Sequence, residues 1–287
     1  ELDYRAVFGT MTKWATEIDD AARIPEIISR AFHVATAGRP GPVVIALPED
    51  VLTDLADVAD AEPYQVPETP PSLLQTIDLQ KRLWAAKAPV AILGGSRWDP
   101  QAIARFTRFA ERFDMPVAVS FRRQMLFPAD HPNFAGDLGI GPNPKLLKRI
   151  QDSDLVLLVG GRLSEMPSQS YTLFGIPNPG RPLVHVHPDA EELGRVYRPS
   201  LAINASPTAF CAALETVHPP QDIPWAGAAA EAHESYLGWS GQPAPVAGDF
   251  HPGEMVTWLR RHLPEDAIMC NGAGNYATWV HRFHRFN

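Results

Sequence analysis

Cysteine is nearly absent from this chain, with two in 287 residues, Cys211 and Cys270. Far apart as they are, they exclude a disulfide framework and predict a reducing, cytoplasmic setting. No apolar run reaches the ~18 residues that a membrane helix needs, and the opening residues do not read as a signal peptide, so no membrane partner is expected. Positive charge is also scarce: 25 Lys and Arg stand against 33 Asp and Glu, a formal charge of -8. That deficit argues against non-specific nucleic-acid binding, which needs a basic face. Ser164, Ser168 and Ser170 sit in no Gly-x-Ser-x-Gly elbow, so a hydrolase triad has no support.

What is present is proline, 29 residues of it, and an apolar fraction of 45% that is ample for real cores. The length allows one large domain or two. Proline-rich stretches at 61–71 and 219–252 read as seams. Before the first seam, residues 22–37 predict an amphipathic helix with Ile24, Ile27, Ile28, Ala31, Phe32 and Ala35 on one face, and Asp19 or Asp20 at its start. Val43-Val-Ile-Ala-Leu-Pro48 predicts a buried strand after it. That unit is too small for a core of its own. Between the seams the predicted order is helix 73–87, strand 90–93, helix 101–113, strand 116–119, helix 143–151, strands 155–159 and 183–186, and helix 206–217. A helix at 226–237 interrupts the second seam, and beyond it come a helix at 252–262 and a strand at 267–270.

The chain is organised around Pro89-Val-Ala-Ile-Leu-Gly-Gly-Ser-Arg-Trp98. Val90–Leu93 has the length and composition of a strand buried on both faces, and Gly94-Gly95 ends it where the backbone turns tightly or approaches a ligand. The pattern returns at Leu155-Val-Leu-Leu-Val-Gly-Gly-Arg162 and at Pro182-Leu-Val-His-Val-His187. Apolar runs alternating with helices predict an α/β fold, a doubly wound, Rossmann-like parallel sheet with helices on both faces. Ligands of such sheets sit at the carboxyl ends of the strands, where Gly94, Gly95 and Arg162 fall. The plainer alternative is that the glycines only turn the chain. His185 and His187, two apart, share one strand face, yet only Asp189 lies near enough to join them, so no metal site is predicted. His281 and His284 read the same way. Trp258, Trp279, Phe283 and Phe286 read as core or subunit contact.

Three stretches together resemble the thiamine-diphosphate-dependent enzymes of the acetolactate synthase-like superfamily. Arg39-Pro-Gly-Pro-Val43 followed by Ala46-Leu-Pro-Glu-Asp50 is similar to the end of that family's N-terminal, pyrimidine-binding domain. Ala88–Gly95, Asp154–Arg162 and Leu183–His187 are similar to its central domain. Gly272-Ala-Gly-Asn-Tyr-Ala-Thr-Trp279 resembles the opening of its diphosphate-binding domain. The resemblance therefore implies a domain layout of 1–60, 72–217 and 250–287.

It also implies function. Gly274-Asn275-Tyr276 would contact the diphosphate of thiamine diphosphate, since glycine permits close approach and an Asn amide donates to phosphate oxygens. The family's catalytic glutamate is expected upstream of residue 1 and its Gly-Asp-Gly magnesium motif beyond residue 287, so these residues alone are expected to be inactive. The parent enzyme is expected to be roughly twice as long, a homodimer or homotetramer acting on 2-oxo acids or related carbonyl compounds by decarboxylation or carboligation. Gly94, Gly95, Arg162 and His187 occupy positions that in some members contact FAD or ADP. Where nucleotide binders usually carry Asp, this chain has His187, and Pro142 breaks the Gly-Met-His-Gly word of the FAD enzymes within Gly139-Ile-Gly-Pro142. FAD is therefore not expected. The alternatives are a nucleotide-binding member such as an FAD-type acetolactate synthase or acyl-CoA decarboxylase, a nicotinamide-dependent Rossmann oxidoreductase, and a non-catalytic scaffold. A Gly-x-Gly-x-x-Gly with a downstream acid would support the nicotinamide reading, and the first strand lacks it.

Overall fold

A computed structural model describes residues 2–287, and the chain divides between Glu68 and Thr69 into two compact units. In the first unit, α1 (Tyr4–Phe8) precedes β1 (Trp14–Glu17), which pairs in parallel with β2 (Val43–Ala46) across α2 (Ile24–Thr36). Asp20, not Asp19, makes the entry bond into α2, accepting from the Ala22 amide in the short turn before it. Ile18, Ala21, Ile27 and Val51 form the small core here. The predicted apolar face of α2 is only half used: Ile27 and Ala31 are buried, whereas Phe32 is 60% exposed. β1 is absent from the sequence reading because Trp14-Ala-Thr-Glu17 has neither alternation nor an apolar run. It is a strand because β2 offers it a ladder.

The second unit holds a six-stranded, wholly parallel sheet in the order β5-β4-β3-β6-β7-β8. Its strands are β3 (Pro89–Leu93), β4 (Val117–Ser120), β5 (Phe134–Leu138), β6 (Leu155–Val159), β7 (Leu183–His187) and β8 (Leu201–Asn204). The chain runs outward from β3 to one edge, returns to β6 beside β3, and runs outward to the other edge. That reversal makes the β3–β6 boundary the topological switch point, as a doubly wound sheet requires. Central strands buried on both faces must be apolar throughout, and Val90–Leu93 and Val156–Val159 are 0–1% exposed. β5 and β8 escape the sequence reading because Phe-Ala-Gly-Asp-Leu and Leu-Ala-Ile-Asn mix Gly or Asn into short edge strands.

Helices begin where a capping side chain precedes proline. Asp99 caps α4 (Pro100–Arg112), Asn143 caps α5 (Pro144–Asp152), Ser206 caps α6 (Pro207–Ala213) and His251 caps α8 (Pro252–His262), each with Pro at the first turn. Proline there gives up no needed hydrogen bond and presets φ, so several of the prolines start helices instead of marking seams. Ser72 and Gln75 close a capping box on α3 (Leu73–Ala85). On α4 the stripe Ala102, Phe106, Phe109 and Ala110 is fully buried against one sheet face with α3 and α6. Each of those phenylalanines contributes about 1.5–3 kcal/mol by burial. Leu146 and Ile150 of α5 cover the other face with the segment 163–174.

Two helices follow, α7 (Ala228–Ser240) and, after α8, α9 (Ala277–Phe283). The strand predicted at Ala267–Cys270 does not form: those residues have no ladder partner and Ile268 is 89% exposed. An apolar run becomes a strand only when a neighbour supplies hydrogen bonds. The predicted helix at 206–217 ends earlier as a helix, α6 giving way to a 3-10 turn at Leu214–Thr216. Both cysteines are free, Cys211 buried and Cys270 exposed.

Candidate functional site

At the switch point four glycines interlock. Gly94 and Gly95 follow β3, and Gly160 and Gly161 follow β6. Gly95 holds φ +71°, and a Cβ on it would stand 1.7 Å from the Gly160 carbonyl oxygen. A Cβ on Gly94 would stand 3.0 Å from both Gly161 Cα and Ser120 Cβ, and one on Gly160 (φ +73°) would meet Gly94 O and Pro207 at 2.7 Å. Trp98 Nε1 donates to the Gly94 carbonyl at 2.8 Å. Backbone-to-backbone approach of neighbouring strands by itself accounts for both Gly-Gly words.

Arg162 and His187, predicted beside these glycines, go elsewhere. Arg162 lines a cavity of about 120 Å³ on the α5 face of the sheet. His185 lines the same cavity, and His187, Gly94 and Gly95 do not. The ion partner of Arg162 is Glu192, at 3.8 Å, a carboxylate only 7% exposed that also faces Arg195 at 3.7 Å. His185 stands 3.0 Å from the Gly161 carbonyl. A carbonyl only accepts, so Nε2 carries the proton and Nδ1 is the acceptor. Burial pushes this histidine down to about 4, so it is neutral at ordinary pH. His187 is 3% exposed and its Nδ1 accepts the Asp189 amide at 3.1 Å. A neutral imidazole has one acceptor nitrogen, and here it is taken.

The third predicted group, Gly274-Asn275-Tyr276, forms the turn into α9. Asn275 and Tyr276 are exposed, and the Asn275 carboxamide makes no hydrogen bond among the described residues. A Cβ on Gly274 would stand 2.4 Å from the exposed Tyr276 ring, which folds over it here and can rotate aside. Behind the turn, α9 abuts the loop that follows β5. Places where a Cβ would stand on Gly139 and Gly141 lie 3.3 Å from His281 Nδ1 and 3.1 Å from Thr278 Cγ2. The turn is thus held at the carboxyl end of the edge strand.

Sequence reasoning missed a half-buried carboxyl in β5, just before that loop. Asp137 accepts from Gln124 Nε2 at 2.7 Å and from the Gly139 amide at 2.9 Å. Burial raises its pKa, opposed by these bonds and by the nearby His281. A charged residue inside Phe134-Ala-Gly-Asp-Leu138 was the available signal. Glu192 was missed because Asp189-Ala-Glu-Glu192 reads as a solvated turn. Among the described residues no group of three His, Cys, Asp or Glu could hold a metal, and no helix is long and apolar enough to cross a membrane.

Residues 77–214, which hold all six strands of the sheet, match the thiamine pyrophosphate enzyme central domain. The chain carries a thiamine pyrophosphate enzyme central domain. It is 26% identical to the acetolactate synthase large subunit of Corynebacterium glutamicum over 300 residues, covering 99% of this chain and 46% of that protein. It is 31% identical to glyoxylate carboligase of Escherichia coli O157:H7 over 209 residues, covering 70% of this chain and 34% of that protein. A Rhodococcus jostii RHA1 thiamine diphosphate-dependent 4-hydroxybenzoylformate decarboxylase shares the fold at TM-score 0.71 and 23% identity, over 99% of this chain and 52% of the other. The chain spans about half the length of the acetolactate synthases it matches, 46% and 50% in two of them. Like these thiamine enzymes, it is acetolactate synthase-like in sequence along nearly its whole length.

Proposed function

We propose that the whole protein carrying this chain is a thiamine-diphosphate-dependent enzyme that makes or breaks a carbon–carbon bond beside the carbonyl of a 2-oxo acid or a related compound. The observation that carries this is the thiamine-enzyme central-domain match over 77–214, set on a doubly wound sheet whose relatives include a synthase, a carboligase and a decarboxylase. In this reading residues 1–60 end a pyrimidine-binding domain, 72–217 are the central domain, and 250–287 open the diphosphate-binding domain.

The turn fits the cofactor's diphosphate. Asn275 offers an exposed amide donor without a competing partner, Tyr276 a hydroxyl, and Gly274 a backbone without Cβ. Thiamine diphosphate, when bound, supplies an electron sink for a carbanion formed beside a carbonyl. This chain's residues bind and orient: Asn275 holds phosphate oxygens, and the contacts of α9 with the Gly139–Gly141 loop fix where the turn stands. Magnesium accompanies the diphosphate in this reading, held by residues other than those described here. A homodimer or homotetramer and a cytoplasmic setting complete it, the latter in keeping with two free thiols.

The central domain, in the same reading, takes no FAD. The glycines are committed to each other, and the acceptor of His187 to Asp189. A ribose hydroxyl finds no carboxylate at His187. Consumption of 2-oxo acids by the whole protein with thiamine diphosphate and magnesium tests the reading. Turnover that requires the cofactor, from a colourless preparation, is expected. Turnover without it, or a stoichiometric flavin spectrum, would overturn the respective half.

A further inference from the structure

The cavity at Arg162 has the chemistry of a binding site in its own right. Its floor is the apolar surface of Leu158 and Leu183 on β6 and β7, and its volume is about 120 Å³, enough for several waters or one small organic acid. Glu192 Oε2 is buried on its wall and makes no hydrogen bond. Buried polar atoms without partners are uncommon and costly, about 1–3 kcal/mol each, more for a charged group. Such an atom on the wall of a cavity points to something that satisfies it.

The charges narrow what that is. Two guanidinium groups, Arg162 and Arg195, share one carboxylate, and at 3.8 and 3.7 Å neither is within hydrogen-bond distance of it. Their donors remain available and leave the site one positive charge in excess. His185 on the lining gives its Nε2 proton to the Gly161 carbonyl, 3.0 Å away, and adds no charge. The ligand is thus a monoanion whose carboxylate meets the guanidinium groups and which also carries a donor for Glu192. Tyr171, which lines the cavity, ends a run of three successive non-glycine residues in the left-handed region, Gln169, Ser170 and Tyr171 (φ 53°, 56° and 63°). Such conformations cost energy and gather at ligand sites.

We propose that this cavity binds a small 2-hydroxy carboxylate, its carboxylate on Arg162 and Arg195 and its hydroxyl donating to Glu192. The site rests on these residues alone and stands or falls independently of thiamine chemistry. Calorimetric titration of the whole protein carrying this chain with lactate, and separately with propionate, tests it. Lactate is expected to bind saturably, one per chain, and propionate, which lacks only the hydroxyl, at least about tenfold more weakly, the worth of one hydrogen bond to a charged group. Arg195 is 62% exposed, so Arg195→Ala is expected to fold and to weaken lactate by about tenfold. Glu192→Gln is expected to narrow the gap between the two acids. No saturable lactate binding, equal binding of the two acids, or unchanged lactate affinity in Arg195→Ala would each overturn the proposal.

Discussion

Replacing Gly95 by alanine separates the two roles a Gly-Gly turn can have. Gly95 and Gly180 share a left-handed backbone, φ +71° and +76°. Alanine at either costs about 1 kcal/mol for that conformation alone. At Gly180 nothing lies within 4 Å of the new methyl, so the cost ends there. At Gly95 the methyl falls 1.7 Å from the Gly160 carbonyl, which is backbone and cannot rotate aside. The ends of β3 and β6 must then part, straining the Gly94 N–H to Val159 carbonyl bond of 3.0 Å. A lost hydrogen bond of about 1 kcal/mol and loosened packing bring the expected total to about 3–4 kcal/mol. Urea unfolding of both variants, compared at matched slope, reads the difference. Gly95→Ala is expected to lose at least about 2 kcal/mol more than Gly180→Ala. Equal losses, within about half a kcal/mol, would refute the interlock.

Further outcomes follow from the buried groups. His185 is pushed down to about 4 in the native state, against roughly 6.5 unfolded. Between those values the unfolded chain takes a proton that the native one refuses. The stability tied to this residue is therefore full above about pH 6.5 and falls as pH drops toward 4, by up to about 3 kcal/mol. Asp137, raised by burial, slopes the opposite way, so urea midpoints of wild type should be compared with His185→Gln across that range. Parallel profiles would contradict the assignment. A thiol reagent should label exposed Cys270 at once and Cys211 only after unfolding, because burial pushes the Cys211 thiol well up. Prompt labelling of two thiols in the native protein would show the α6 packing to be wrong.

Much of the second unit was legible in the sequence because its strands are unbroken apolar runs. Val90–Leu93 and Leu155–Val159 need nothing but burial on both faces to be recognised. The edge strands β5 and β8 and the small strand β1 were not legible, since their pairing comes from neighbours and not from their own composition. The same logic erased the expected strand at Ala267–Cys270, whose apolar residues find no partner ladder. The site was half legible. Gly94, Gly95 and Arg162 fall at strand ends as read, but adjacency in the pattern did not make them one pocket. Side-chain direction separated them, sending Arg162 to Glu192 and His187 to Asp189. A carboxylate in a polar turn, such as Glu192, gives no sign in sequence of being 7% exposed.

The central claim is tested most directly at the turn Gly274-Asn275-Tyr276, where the cofactor's diphosphate is proposed to bind. Calorimetric titration of thiamine diphosphate, with magnesium, into the whole protein and into its Asn275→Ala variant tests it. The account predicts saturable binding at one cofactor per chain and a loss of about tenfold or more in the variant, as removal of one hydrogen bond to a charged group requires. Absence of binding by the whole protein, or the same affinity in both, would contradict it.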